Sequence, residues 1–399
     1  MRWTFGIFLN LLFQIVSLFF DNCVSIDYIL LRINFAILFV LFLLSLLTIF
    51  KAPTSKLWLV QVVVGEYSII FIGITLLVLL FDVYSLIEIV FGIFAIVLYF
   101  SPIVKAYLIA RKLPNDLEKA FGKKSQLKFV PFSIFKLLKT IPEVRYRTFT
   151  YVTYEEISLK LDYYNTNVKG KRPCVIVIHG GSWIHGDSQQ LSELNSYLSL
   201  NGYNVAAINY RLAPKWKYPS AIEDTSAALK YLRDHADELN IDIENFVLVG
   251  RSAGGQIAAL SGYTLKDMGI KGVIDFYGPV DMIWGYMTPT NPLVSDSHET
   301  LVTYLGGDYN EMPERYASSS PIECVNEQTI PTLMIHGKID ALVFDEHARR
   351  LAKKLTIHQV RNYFLEIPWG THGLDYHLNS PSGQLSTYSI QYFLNIITN

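Results

Sequence analysis

The chain has 399 residues, room for more than one domain, and 51% of them are hydrophobic, with a mean hydropathy of +0.28 that is high for a soluble protein. Its 34 Lys and Arg nearly balance its 35 Asp and Glu, which excludes the basic field expected of a nucleic-acid binder. Three scattered cysteines, Cys23, Cys174 and Cys324, match neither a disulfide framework nor a metal-ligand spacing.

The apolar excess is concentrated at the start of the chain. Residues 1–100 carry only Arg2, Asp21, Asp27, Arg32, Lys51, Lys56, Glu66, Asp82 and Glu88 as charges. Between them lie four apolar runs, 5–20, 29–50, 57–81 and 83–99. The middle two exceed the roughly 20 residues that cross a bilayer, and the outer two are at the short end of that range. Four spanning helices are expected, with three as the alternative. The first run could be a signal peptide, but Asp21-Asn22-Cys23 follows it without a small-residue cleavage site. Arg2, then Lys51 and Lys56, then Lys105, Arg111 and Lys112 fall at alternate loops, so the positive-inside rule places both termini in the cytoplasm. Glu66, inside the third run, is costly there and reads as a protonated or hydrogen-bonded carboxyl facing a helix-bundle interior.

From 105 to 143 the composition turns basic, and Pro114, Pro131 and Pro142 punctuate it. Lys128, Lys136 and Lys139 alternate with bulky apolar residues, a pattern suited to a membrane interface or to packing on the following domain. From 144 to 399 short apolar strands alternate with helices. Strands are expected near 144–152, 157–163, 174–178, 203–209, 246–250, 272–277, 332–335 and 363–367, with helices near 189–200, 221–239, 345–355 and 384–397. Continuous apolar strands between helices predict a mostly parallel, doubly wound α/β sheet covered on both faces. A segment rich in Gly, Pro, Tyr and Ser, 279–321, interrupts the rhythm and could cap a site. The expected division is a transmembrane unit over 1–104, a linker over 105–143 and an α/β unit over 144–399.

The chemistry centres on Gly250-Arg251-Ser252-Ala253-Gly254, a Gly-x-Ser-x-Gly directly after an apolar strand. A serine hydroxyl becomes a nucleophile only beside a base, and flanking glycines allow the tight strand-to-helix turn that projects it. Asp340 follows one later strand and His372 another, at the strand ends where an open parallel sheet gathers its ligands. In this order His372 would take the Ser252 proton while Asp340 orients and stabilises the imidazole. His336, four residues before Asp340, reads as a brace for that loop. His185 and Asp187 are two potential ligands only, so neither metal nor cofactor is expected.

After the strand at 174–178 comes His179-Gly180-Gly181-Ser182-Trp183, a Gly-rich turn able to aim backbone N–H groups at a developing oxyanion. At this point the sequence resembles the hormone-sensitive-lipase-like branch of the α/β-hydrolase esterases, and Tyr210-Arg211-Leu212-Ala213-Pro214 and Tyr218-Pro219 extend the likeness. The resemblance implies an α/β-hydrolase fold, with Gly181, Ser182 and Ala253 supplying the oxyanion donors and Gly180 shaping the turn. Ser182 stands where many members have a third glycine, which bears on the width of the acyl site. The apolar N-terminal part is a departure, since most such esterases are soluble, and it turns the expected substrate towards an amphipathic or lipid-like ester in contact with membrane lipids. An amidase or peptidase could use the same constellation, and a binding module is the remaining alternative.

Overall fold

A computed structural model describes residues 26–80, 85–124, 127 and 129–398. The first apolar run, 5–20, lies outside these. The apolar part begins with α1 (Ile26–Ser45), and Thr54 then caps α2 (Ser55–Glu66) by accepting from the Leu57 N–H. The third run is not a straight span. It breaks at Tyr67, and α3 (Ser68–Leu80) leaves α2 at 85°. Hydropathy predicted one rod here because it registers apolarity, not the needs of Glu66. The Glu66 carboxylate accepts from the His377 N–H (3.2 Å) and Ser382 Oγ (2.6 Å), donors that belong to the C-terminal α/β half and not to a helix bundle.

The boundary expected at 104 falls inside α4 (Leu86–Phe121), one helix of 36 residues that Ser85 and Glu88 start with a reciprocal capping box and Gly122 ends in a left-handed cap. Pro102 and Pro114 lie within it and do not end it. Its early part packs with α1 and α3 around Tyr99 and Ile103, and its later part, Ala106, Ala110, Leu113, Leu117 and Phe121, joins the hydrolase core. Burial on both stretches offsets the roughly 3 kcal/mol that each interior proline costs. In the following segment Leu137 is buried, while Val130, Phe135 and Leu138 project outward.

Eight strands form one sheet in the order β1-β2-β4-β3-β5-β6-β7-β8. The antiparallel edge is β1 (Arg147–Thr153) and β2 (Ser158–Tyr164), which leads through β4 (Asn204–Ile208) to β3 (Arg172–Ile178). From there β5 (Ile241–Arg251), β6 (Ile270–Phe276), β7 (Thr332–Gly337) and β8 (Asn362–Ile367) continue in parallel. Residues 174–178 and 246–250 are fully buried, as the continuous apolar runs predicted, because helices cover both faces. One face carries α5 (Glu193–Leu200), α4 and α13 (Pro381–Ile397). The other carries α6 (Ser220–Asp234), the short α7 (Ala236–Leu239), α8 (Ala253–Thr264) and α12 (Glu346–Ile357). The insertion after β6 folds into three short helices, α9 (Met282–Met287), α10 (Ser297–Leu305) and α11 (Pro313–Ser319).

Candidate active site

Strand β5 ends in Ser252, whose backbone sits at φ 53°, ψ −121°, outside the regions that side-chain-bearing residues normally occupy. The turn is possible because its neighbours lack side chains. A Cβ on Gly250 would run into the Gly254 carbonyl, and one on Gly254 into the Ile178 carbonyl of β3. The Ser252 N–H donates to Phe276 O (2.9 Å), tying the turn to β6, and α8 starts at the next residue.

The three residues read from the sequence meet at the carboxyl ends of β5, β7 and β8. Ser252 Oγ lies 2.9 Å from His372 Nε2, and His372 Nδ1 lies 2.8 Å from Asp340 Oδ2. A proton on Nδ1, shared with Asp340, leaves Nε2 as the acceptor for the serine hydroxyl. Asp340 is fully buried, and its other oxygen accepts from the Leu342 and Val343 N–H groups (2.8 and 3.0 Å). Burial alone would raise its pKa, but the charge of His372 and hydrogen bonds from His336 and His372 hold the carboxyl well below the usual range. His336 braces the loop, with Nε2 2.9 Å from Val343 O and 3.3 Å from Asp340 Oδ2.

In the turn after β3, Gly180 donates its N–H to Gln190 Oε1 (2.6 Å) and is occupied by that bond. Gly181, Ser182 and Trp183 follow with φ of 115°, 55° and 60°, a run in the left-handed region. At Gly181 a side chain would strike the His185 carbonyl, so glycine is required there, whereas Ser182 carries its side chain onto the cavity wall. Trp183 is fixed by stacking on Tyr304 (4.3 Å) and by donating to Gln256 Oε1 (3.0 Å). Burial pushes the pKa of His179 down to about 4, and it stacks on Tyr210 (4.3 Å) as a neutral ring. Asp187 caps the Gln189 N–H (2.9 Å), and among the described residues no group of three or more His, Cys, Asp or Glu could hold a metal ion.

A cavity of about 70 Å³ is lined by Ser252, Ala253, Ser182 and His372, and on its far side by Thr288, Thr290, Ser295 and Thr300 of the insertion and by Phe344 and His347. The insertion is thus a wall of the site. Several contributors had escaped sequence reading. Arg251, the residue before Ser252, is buried and donates through Nε to Asp375 (2.5 Å), and Tyr277 Oη donates to the same carboxylate (2.5 Å). The Tyr277 ring lies 4.5 Å from the His372 ring, so this cluster supports the imidazole from behind. A charged residue directly after the apolar run 246–250 was the signal, since a buried guanidinium needs a carboxylate partner. From α2, Trp58 Nε1 donates to His372 O (2.9 Å), a contact that nothing in an apolar run announced.

Comparison with known proteins agrees with this architecture. Residues 161–355 match the family model BD-FAE. The chain is 30% identical over 238 residues to Esterase LipC of Mycobacterium tuberculosis, covering 56% of this chain and 58% of that protein. It is 26% identical over 241 residues to the probable carboxylic ester hydrolase LipM of the same organism, covering 57% and 55%. The chain therefore spans somewhat over half the length of these relatives. Among solved structures, a bacterial heroin esterase superposes with a TM-score of 0.57 at 21% identity, covering 66% of this chain and 88% of that one. The sheet with its covering helices is the α/β-hydrolase fold. Over somewhat more than half of its length the chain is similar in sequence to LipC and LipM.

Proposed function

We propose that the protein is a membrane-anchored serine ester hydrolase in which Ser252 is the nucleophile, His372 the general base and acid, and Asp340 the group that orients His372. The observation carrying this reading is the continuous chain from Ser252 Oγ through His372 to buried Asp340, at 2.9 and 2.8 Å, opening into a cavity. Ser252 Oγ attacks the ester carbonyl carbon as its proton passes to His372 Nε2, and the carbonyl oxygen becomes an oxyanion facing the N–H groups of Gly181, Ser182 and Ala253. Collapse of the tetrahedral adduct breaks the bond to the alcohol, which leaves with the proton from His372. Water then repeats the sequence on acyl-Ser252, releasing the acid and restoring the serine. Gly180 shapes the turn rather than donating, since its N–H is held by Gln190.

The small cavity favours a short acyl group, with the alcohol part of the ester outside it. Turnover of p-nitrophenyl esters should fall as the acyl chain lengthens from acetate to laurate, and Ser252→Ala should remove it throughout. Equal turnover by the variant would sink the assignment of Ser252.

Anchoring is supported by α4. Its exposed apolar side chains run from Leu86 to Leu108, 22 rises of about 1.5 Å or about 33 Å, close to the roughly 30 Å of a hydrocarbon core, and exposed Arg111 and Lys112 follow. Among the described residues α4 is the one helix that passes for length and apolarity, or one of two spans if the bent pair α2–α3 counts as another. By the positive-inside rule, Arg111 and Lys112 beyond the apolar stretch of α4 favour a hydrolase half on the cytoplasmic side. In sealed inside-out vesicles, protease should digest the C-terminal half. Protection there, with digestion in right-side-out vesicles, would reverse the topology.

A further inference from the structure

The polar residues of the third apolar run share one face of α2 and one target. Trp58, Gln61 and Glu66 lie within one helical arc, and each meets the loop between β8 and α13 that carries His372. Trp58 donates to His372 O (2.9 Å), with its ring edge-on to the imidazole at 6.3 Å. Thr371 Oγ1 donates to Gln61 Oε1 (3.0 Å), while Gln61 Nε2 donates to Leu47 O (2.8 Å) and Phe50 O (2.7 Å), so the amide is fixed at both ends. Glu66 accepts from the His377 N–H of the same loop and from Ser382 Oγ in the first turn of α13. Leu57, Leu59 and Val63, on the opposite face, are exposed.

The loop needs such support. Strand β8 ends at Ile367, five residues before His372, and Gly373 follows at φ 87°. We propose that Trp58 and Gln61 are positioning residues for His372: α2 holds the 371–373 backbone so that Nε2 meets Ser252 Oγ, and the apolar N-terminal part is thereby a component of the active site as well as an anchor. The proposal rests on His372 being the base. It explains why a run otherwise fit for lipid keeps Trp58, Gln61 and Glu66, each buried or half-buried against the hydrolase.

The test uses the full chain in detergent, with Trp58→Phe, which keeps a ring and removes the donor, and Leu59→Ala on the exposed face as control. Steady-state kinetics on p-nitrophenyl acetate are measured beside Tm. For Trp58→Phe, kcat should fall about 10- to 100-fold with KM within about twofold, as for a reacting group displaced without loss of substrate contacts. Leu59→Ala should match the wild type. Unchanged kcat in Trp58→Phe overturns the proposal. If that variant does not fold, Thr371→Val, which removes the donor to Gln61 from the hydrolase side, decides in the same way: a fall in kcat at constant KM supports the role, and wild-type kcat overturns it. Failure of the underlying reading has a separate signature, full turnover by His372→Ala, which overturns both.

Discussion

Asp275 shows how closely charge is managed around the site. It is buried at the end of β6, one oxygen accepts from the Gly278 N–H (2.9 Å), and the other has no partner among the described residues. Burial, partly countered by His336 and by that hydrogen bond, raises its pKa to about 6. The unfolded chain releases this proton near the ordinary value, so between about pH 4 and pH 6 the folded state binds more protons than the unfolded one, and stability declines as pH rises through that window. Above it the full cost is on the order of 3 kcal/mol, from a rise of about 2.2 at 1.36 kcal/mol each. Asp275→Asn keeps the acceptor for Gly278 and removes the titration. Its Tm should exceed that of the wild type at pH 7.5 by more than at pH 4.5, and a gap that is flat with pH would refute the assignment.

At the scale of elements, the sheet and the elbow were readable because each obeys a local rule. The strands at 174–178 and 246–250 are unbroken apolar runs, as strands buried on both faces must be, and Gly250 and Gly254 stand where backbone meets backbone. Ser252, Asp340 and His372 were readable for the same reason, each following a strand. What escaped depends on partners far along the chain. The break at Tyr67 is set by Glu66 finding donors 311 and 316 residues away, and the Arg251–Asp375–Tyr277 cluster joins the end of β5 to the loops after β6 and β8. Pro114 suggested a segmented linker, yet the helix continues through it because its buried face is continuous from Tyr99 to Phe121. Leu113 lies in that expected linker and is fully buried among hydrolase residues. Leu113→Ala should therefore destabilise the hydrolase by about 2–5 kcal/mol, seen as a lowered Tm of the whole unit. No change in Tm would mean that α4 is not part of that core.

At the scale of the whole molecule, α4 is a rod shared by two environments, with one end in the apolar N-terminal part and the other in the hydrolase core. A second connection runs through α2 to the loop of His372, a third through the insertion, where the Ser55 N–H donates to Leu293 O (2.9 Å), and a fourth through the loop after β7, where Lys51 sits over the Phe344 ring (4.4 Å). Residues of the N-terminal part thus contact both the loop of His372 and the cavity wall. The account stands or falls on Ser252 being an activated nucleophile in this setting. The most direct measurement is the intact mass of the detergent-solubilised full chain after reaction with a fluorophosphonate, beside Ser252→Ala. A single adduct on the wild type and none on the variant is the predicted result. A folded wild type that stays unlabelled, or a variant labelled at the same rate, would contradict it.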